Sequence, residues 1–165
     1  MNSLIKMLMF GAVVMMPATL VANESEGRKL AELAFSSVKN SENDRIDRVA
    51  FSEFGENVFV SMDANDDDNL SFREYRSWDY GMMPLAEERG RVDAYNTAIR
   101  IVFAFKDRNG DGQISKAEHQ QSMEFDFQRA DSNADGYLTK DEFLNGHSIM
   151  VALRSALDPN LSNQE

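Results

Sequence analysis

Two stretches of twelve residues, 107–118 and 131–142, carry the same spaced set of oxygen-bearing side chains around a glycine. The first places Asp107, Asn109 and Asp111 at positions 1, 3 and 5, Gly112 at position 6, Ser115 at position 9 and Glu118 at position 12. The second repeats this with Asp131, Asn133, Asp135, Gly136, Thr139 and Glu142. Gln113 and Tyr137 stand at position 7, where the backbone carbonyl is the available donor. A glycine at position 6 permits a sharp turn through positive φ, which folds the donors back on one point. Few other local patterns dictate so closely how a chain must bend.

Hard oxygen donors, with one glutamate able to offer both its oxygens, suit a seven-coordinate Ca²⁺ better than an octahedral Mg²⁺. The chain has no cysteine and two isolated histidines, so the soft and imidazole donor sets of zinc and copper are missing. Ser115/Glu118 and Thr139/Glu142 also read as N-terminal capping boxes, and Asp/Asn/Gly clusters also make ordinary turns. Those readings explain positions 9 and 12 but leave the aspartates at 1 and 5 and the glycine at 6 without a reason. Ile114 and Leu138 stand at position 8, where paired loops form a short β-bridge. The two stretches resemble the calcium loops of the EF-hand superfamily. That resemblance implies an all-α fold of helix-loop-helix repeats with Ca²⁺ as the bound ion.

A third stretch, 63–74, offers Asp63, Asn65, Asp67, the Asn69 carbonyl, Ser71 and Glu74, with Leu70 at position 8. It departs from the pattern in having Asp68 where glycine belongs, which predicts weaker binding. Aspartate tolerates positive φ better than most residues, at some cost. A fourth frame, 42–53, has Asp44 at position 3, Val49 at position 8 and Glu53 at position 12. Its Glu42, Ile46 and two arginines, Arg45 and Arg48, spoil the chemistry. It reads as a vestigial loop kept for packing. His119 follows position 12 of its loop, where the others have Phe54, Tyr75 and Phe143, and reads as a packing residue.

Apolar periodicity predicts helices through Leu30–Val38, Phe51–Met62, Phe72–Trp78, Val92–Phe103, Met123–Ala130 and Phe143–Leu153, with Gly146 leaving the continuity of the last open. Twelve residues separate loop 107–118 from 131–142, and nine separate 42–53 from 63–74. That is too short for two helices and a turn, and 114–130 has no Gly or Pro to make one. One shared helix of about 15 residues would hold its two loops roughly 22 Å apart. Thirty-two residues, with Gly81, Pro84 and Gly90, separate the second loop from the third. The spacing therefore predicts that 63–74 pairs with 107–118 and that 42–53 pairs with 131–142. The expected organisation is a single compact domain over 23–165, with half-repeats at about 26–80 and 91–157 joined by a linker at 81–90. Short-period repeats of this kind resemble those of small exported bacterial EF-hand proteins.

The formal net charge is −11 and the basic residues do not cluster, which disfavours nucleic acid and anionic membrane surfaces as partners and favours cations. Met1 to Ala22 has Lys6, an apolar run from Met7 to Met16, Pro17 and small residues ending at Ala22. This is the layout of a signal peptide cleaved after Ala22, too short and broken to span a membrane, and it predicts a periplasmic or secreted protein with no stable membrane anchor after cleavage. No Ser/His/Asp or Cys/His arrangement stands out, so no enzymatic activity is expected. The expectation is an exported calcium-binding protein, with binding at the weak end of about 10⁻⁴–10⁻³ M typical of extracellular modules. The alternative is a calcium-gated sensor that docks an unknown protein partner on an apolar surface near Trp78, Tyr80, Met82 and Met83.

Overall fold

The computed structural model describes residues 26–39, 43–78 and 80–158. The leader expected over 1–22 lies outside them. Eight helices and four very short strands occur among the described residues, in the order α1 (Glu26–Val38), β1 (Ile46–Asp47), α2 (Arg48–Met62), β2 (Asn69–Ser71), α3 (Phe72–Ser77), α4 (Met83–Glu88), α5 (Val92–Lys106), β3 (Gln113–Ser115), α6 (Lys116–Ala130), β4 (Tyr137–Leu138), α7 (Lys140–Gly146) and α8 (Ser148–Leu157). The fold is all-α. No described helix is long and apolar enough to cross a membrane.

The loops sit at the ends of shared helices. Helix α2 leaves the first loop and runs into the second, and α6 joins the third to the fourth in the same way. Each has 15 residues, about 22 Å at 1.5 Å per residue. Consecutive loops therefore cannot touch. Instead β2 pairs antiparallel with β3, setting Leu70 opposite Ile114, and β1 pairs antiparallel with β4, setting Ile46 opposite Leu138. All four side chains are fully buried. Below the bridges α2 packs on α6, α5 on α8, and α1 on α7 and α8. Phe51 anchors the centre, its ring 5.6 Å from that of Phe127 and 6.3 Å from that of Phe143.

The pairing corrects the frame of the first loop. The frame 42–53 assigns the bridging position to Val49, but Val49 is 66% exposed on α2, and Ile46 makes the bridge. Counting back from Ile46 at position 8 gives the frame 39–50, and three local features agree. Asp44 then falls at position 6 with φ 57°, beside 59° at Asp68, 86° at Gly112 and 82° at Gly136. The N–H of Lys39 at position 1 donates to the Phe35 carbonyl, as those of Asp63, Asp107 and Asp131 donate to Phe59, Phe103 and Phe127. Asp47 at position 9 caps α2, the role taken by Ser71, Ser115 and Thr139 at their own helices. Lys39 and Ala50 thus stand where the first aspartate and the closing glutamate belong. With both end ligands lost, the loop is marked by its backbone, its bridge and its cap rather than by a ligand pattern, and Glu53 supplied a false end three residues downstream. Phe51, rather than Phe54, is then the counterpart of Tyr75, His119 and Phe143.

Two other expectations change, and one point left open is decided. The stretch 81–90 expected as a linker contains α4, with Pro84 in the first turn, where the missing N–H has no helical partner to lose. Chain direction changes at His147, so the last segment is two helices, α7 and α8. The apolar surface expected around Trp78, Tyr80, Met82 and Met83 is largely covered: Met82 is fully buried, and the other three are half-buried against the core.

Candidate metal centre

Each of the three loops with a liganding pattern closes on itself through the same hydrogen bonds. In loop 107–118 the Asp107 carboxylate accepts from the N–H groups of Gly110 and Asp111 through Oδ1 and of Gly112 through Oδ2. Asn109 Oδ1 accepts from the Asp111 N–H at 2.8 Å, and Asp111 Oδ1 accepts from the Gln113 N–H at 2.9 Å. Loop 63–74 repeats this ring: Asp63 takes the N–H groups of Asp67 and Asp68, Asn65 that of Asp67, and Asp67 that of Asn69. In loop 131–142, Asp131 takes those of Asp135 and Gly136, Asn133 that of Asp135, and Asp135 that of Tyr137. Carboxylates and amide oxygens that would otherwise splay outward are held over the loop by its own backbone.

The position-12 glutamate bridges the two ends of each ring. Glu118 Oε2 accepts from the N–H and hydroxyl of Ser115, while Oε1 accepts from the N–H groups of Arg108 and Asn109. Glu74 joins Ser71 to Ala64, and Glu142 joins Thr139 to Ser132. The Ser132 hydroxyl adds a further bond to Glu142 at 2.9 Å, a role not read from the sequence. All three glutamates complete capping boxes with Ser71, Ser115 and Thr139. These bonds favour the charged form. Bonds from the Ser71 hydroxyl and N–H hold Glu74 below the usual carboxylate range, and those from the Ser115 N–H and hydroxyl do the same for Glu118. At Glu142, burial pushes upward, but the combined bonds from Thr139 and Ser132 outweigh it and take the carboxyl down to about 2.

Asn69, Gln113 and Tyr137, the position-7 residues, each open a bridging strand. Among the described residues no three His, Cys, Asp or Glu side chains are gathered as a metal cluster. The three carboxylates at the liganding positions of each loop stand apart on the ring, with asparagine and hydroxyl groups between them and the glutamate turned to protein donors. The donor set is all oxygen and anionic, and in its chemistry it fits a hard divalent cation.

The first loop is built differently. Its Lys39 ammonium makes an ion pair with Asp44 inside the loop. Its Arg45 crosses to the fourth loop, Nη1 lying 2.8 Å from Asp135 Oδ2. Neither contact was read from the sequence, because both follow from the corrected frame. A signal for that frame was present. Ile46 lies 24 residues before Leu70, the same interval that separates Ile114 from Leu138.

Both histidines lie in the core. His119 Nε2 is 3.0 Å from the Gly55 carbonyl, and burial takes its ring down to about 3. His147 contacts the rings of Phe51, Phe54 and Phe143.

The EF-hand family description matches residues 99–121 and 126–146. These are the third and fourth loops with the helical residues that flank them. This match identifies residues 99–146 as a pair of EF-hand motifs and, with the loop rings and the bridges, supports the EF-hand calcium-binding superfamily for the chain.

Proposed function

We propose that the chain is an exported, non-enzymatic calcium-binding protein with two complete sites, at 107–118 and 131–142, and a third at 63–74. The proposed ligands are the side chains at positions 1, 3, 5, 9 and 12 of each loop and the carbonyls of Asn69, Gln113 and Tyr137. Loop 39–50 is metal-free and serves the fold through the Ile46–Leu138 bridge. The observation that carries this reading is the threefold recurrence of one hydrogen-bonded ring, closed each time by the position-12 glutamate. Uptake of an ion would exchange the glutamate's protein donors for the metal. Calcium would also neutralise part of a strongly acidic chain, so binding and rigidity should be coupled. Calorimetric titration of residues 23–165 with Ca²⁺ in metal-stripped buffer tests the reading. Three sites are expected, and no heat of binding overturns it. Trp78 lines the same recess as Asn65, Asp67 and Glu74, so its fluorescence reports the 63–74 site separately.

A second reading, calcium-gated docking, is favoured by a cleft between α5, α6 and α8. Phe105 is 78% exposed there, Ile101 56% and Phe125 50%, around a cavity of about 670 Å³. Its lining includes Lys106, Arg108 and Arg129 but a single acid, Asp126, which is buried and paired to Arg129. In a chain with 28 acids against 17 bases, that is an inverted local charge. The complementary occupant is an acidic amphipathic segment of another protein. Selection of random peptides on the calcium-loaded protein, counter-selected on Phe105→Ser, should enrich sequences that combine Asp or Glu with large apolar residues. Basic sequences, self-association or no enrichment would remove this reading.

A further inference from the structure

We propose that Arg45 is a tethered competitor for the cation at loop 131–142, and that it sets that loop's affinity below that of loop 107–118. The inference rests on the reading of 131–142 as an ion site, and it assigns a regulatory part to the loop that carries no metal itself.

The argument is a comparison of one oxygen across three loops. In each, Oδ1 of the position-5 aspartate accepts from the position-7 N–H, at 2.9 Å for Asp67, 2.9 Å for Asp111 and 3.0 Å for Asp135. The second oxygen, Oδ2, takes a different donor in the different loops. In loops 63–74 and 107–118 that Oδ2 is held by a neutral donor from its own loop, Asn65 Nδ2 or Asn109 Nδ2, both at 2.9 Å. In loop 131–142 it is held by Arg45, 90 residues away in sequence, at 2.8 Å. A full positive charge stands where the other loops have an amide.

The fold brings Arg45 there. Position 7 of loop 39–50 lies next to Ile46, and the antiparallel bridge sets Ile46 against Leu138, two residues beyond Gly136. The guanidinium also lies 5.9 Å from the centre of the Tyr137 ring. Of the other two cations in that frame, Lys39 is occupied by Asp44 and Arg48 by Glu124, whereas the only ion pair of Arg45 among the described residues is with Asp135. An incoming divalent ion must displace Arg45 or share Asp135 with it. Either way part of the carboxylate's charge is already neutralised, and binding weakens. Both side chains are partly exposed, so solvent screening limits the effect to a few-fold.

The test compares residues 23–165 with their Arg45→Gln and Arg48→Gln variants. Arg48, three residues on at the start of α2, carries the same charge but pairs with Glu124 on α6, which belongs to no loop. Ca²⁺ titrations followed at the backbone amides of Gly112 and Gly136 read the two loops separately. Arg45→Gln should tighten the 131–142 site three- to tenfold and leave 107–118 unchanged, and the gain should shrink in about 1 M salt. Without calcium, Arg45→Gln should melt at the same or a slightly lower temperature, which excludes a general stabilisation as the source of the gain. Unchanged or weaker binding at 131–142, or an equal gain from Arg48→Gln, overturns the proposal and leaves the ion site standing. Absence of any ion at 131–142 in all three proteins overturns the site and the proposal together.

Discussion

Gly55 on α2 and Met123 on α6 occupy equivalent positions 68 residues apart, and they meet where the two helices cross. A Cβ on Gly55 would lie 2.7 Å from both Cγ and Cε of Met123. A glycine inside a helix forfeits roughly 1 kcal/mol of helix propensity relative to alanine, so the close approach of the helices is what it secures. Gly55→Ala is expected to lower stability by about 1–2 kcal/mol as Met123 is pushed aside. Gly146→Ala should cost more, because its Cβ would meet the Ala130 Cα at 2.3 Å and backbone cannot swing away. Thermal melts of the two variants at saturating calcium should rank them in that order, and Gly55→Ala with Met123→Ala should recover part of the first loss.

Asp68 holds position 6 of its loop at φ 59°, a region where an L side chain is strained. Asp68→Gly should remove that strain and the extra charge together. The expected gain is about 1 kcal/mol in stability, with tighter calcium binding that Trp78 fluorescence would register. A loss of affinity would mean that the charge of Asp68 attracts the ion more than its backbone hinders it.

Glutamate at position 12 serves both as cap and as proposed ligand, and the amide variant separates the two. Glu118→Gln retains the donors and acceptors of a capping box, so the metal-free fold should melt within roughly 1 kcal/mol of the parent. Calcium affinity at 107–118 should fall at least roughly tenfold through loss of a charged two-oxygen ligand. An unchanged titration at that loop would remove Glu118 from the ligand set.

Acid should unfold the protein in part through His147. Burial lowers its ring from 6.5 to about 4, with Lys106 and Arg129 adding to the effect and Asp126 opposing it. The unfolded chain then binds a proton that the folded chain refuses, so stability is full above pH 6.5 and falls as pH drops toward 4. The span corresponds to roughly 3 kcal/mol. His147→Phe places a ring among Phe51, Phe54 and Phe143 and should flatten this part of the curve, read from denaturant midpoints between pH 4 and 7.

The frames and bridging positions of the three ligand-bearing loops, and the crossed pairing, were legible in the sequence, because ligand spacing and helix length are local arithmetic. The first loop was misplaced by three residues because it has lost the ligands that define a frame. Its register is set by Ile46 meeting Leu138, a contact between distant parts of the chain. Helix α4 was hidden because Gly81, Pro84 and Gly90 marked 81–90 as a linker, although a first-turn proline is compatible with a helix. The cleft was hidden for a related reason. Phe105 and Phe125 lie on helices whose other faces carry the expected core stripe, and only packing decides which face stays open.

The two loop pairs are nested, 70 with 114 inside 46 with 138. A chain delivered from its N-terminus can close the inner clasp once residue 115 is out. The outer one must wait for residue 138, and α1 waits longer still for α7 and α8. Until then Ile46 and Phe51 have nothing to cover them, so the earliest part of the molecule to appear is among the last to be finished. Helix α8, packed on both α5 and α1, is the closing stone of the arch. Cutting it away would leave an open clasp with its apolar lining exposed, rather than a smaller version of the same protein.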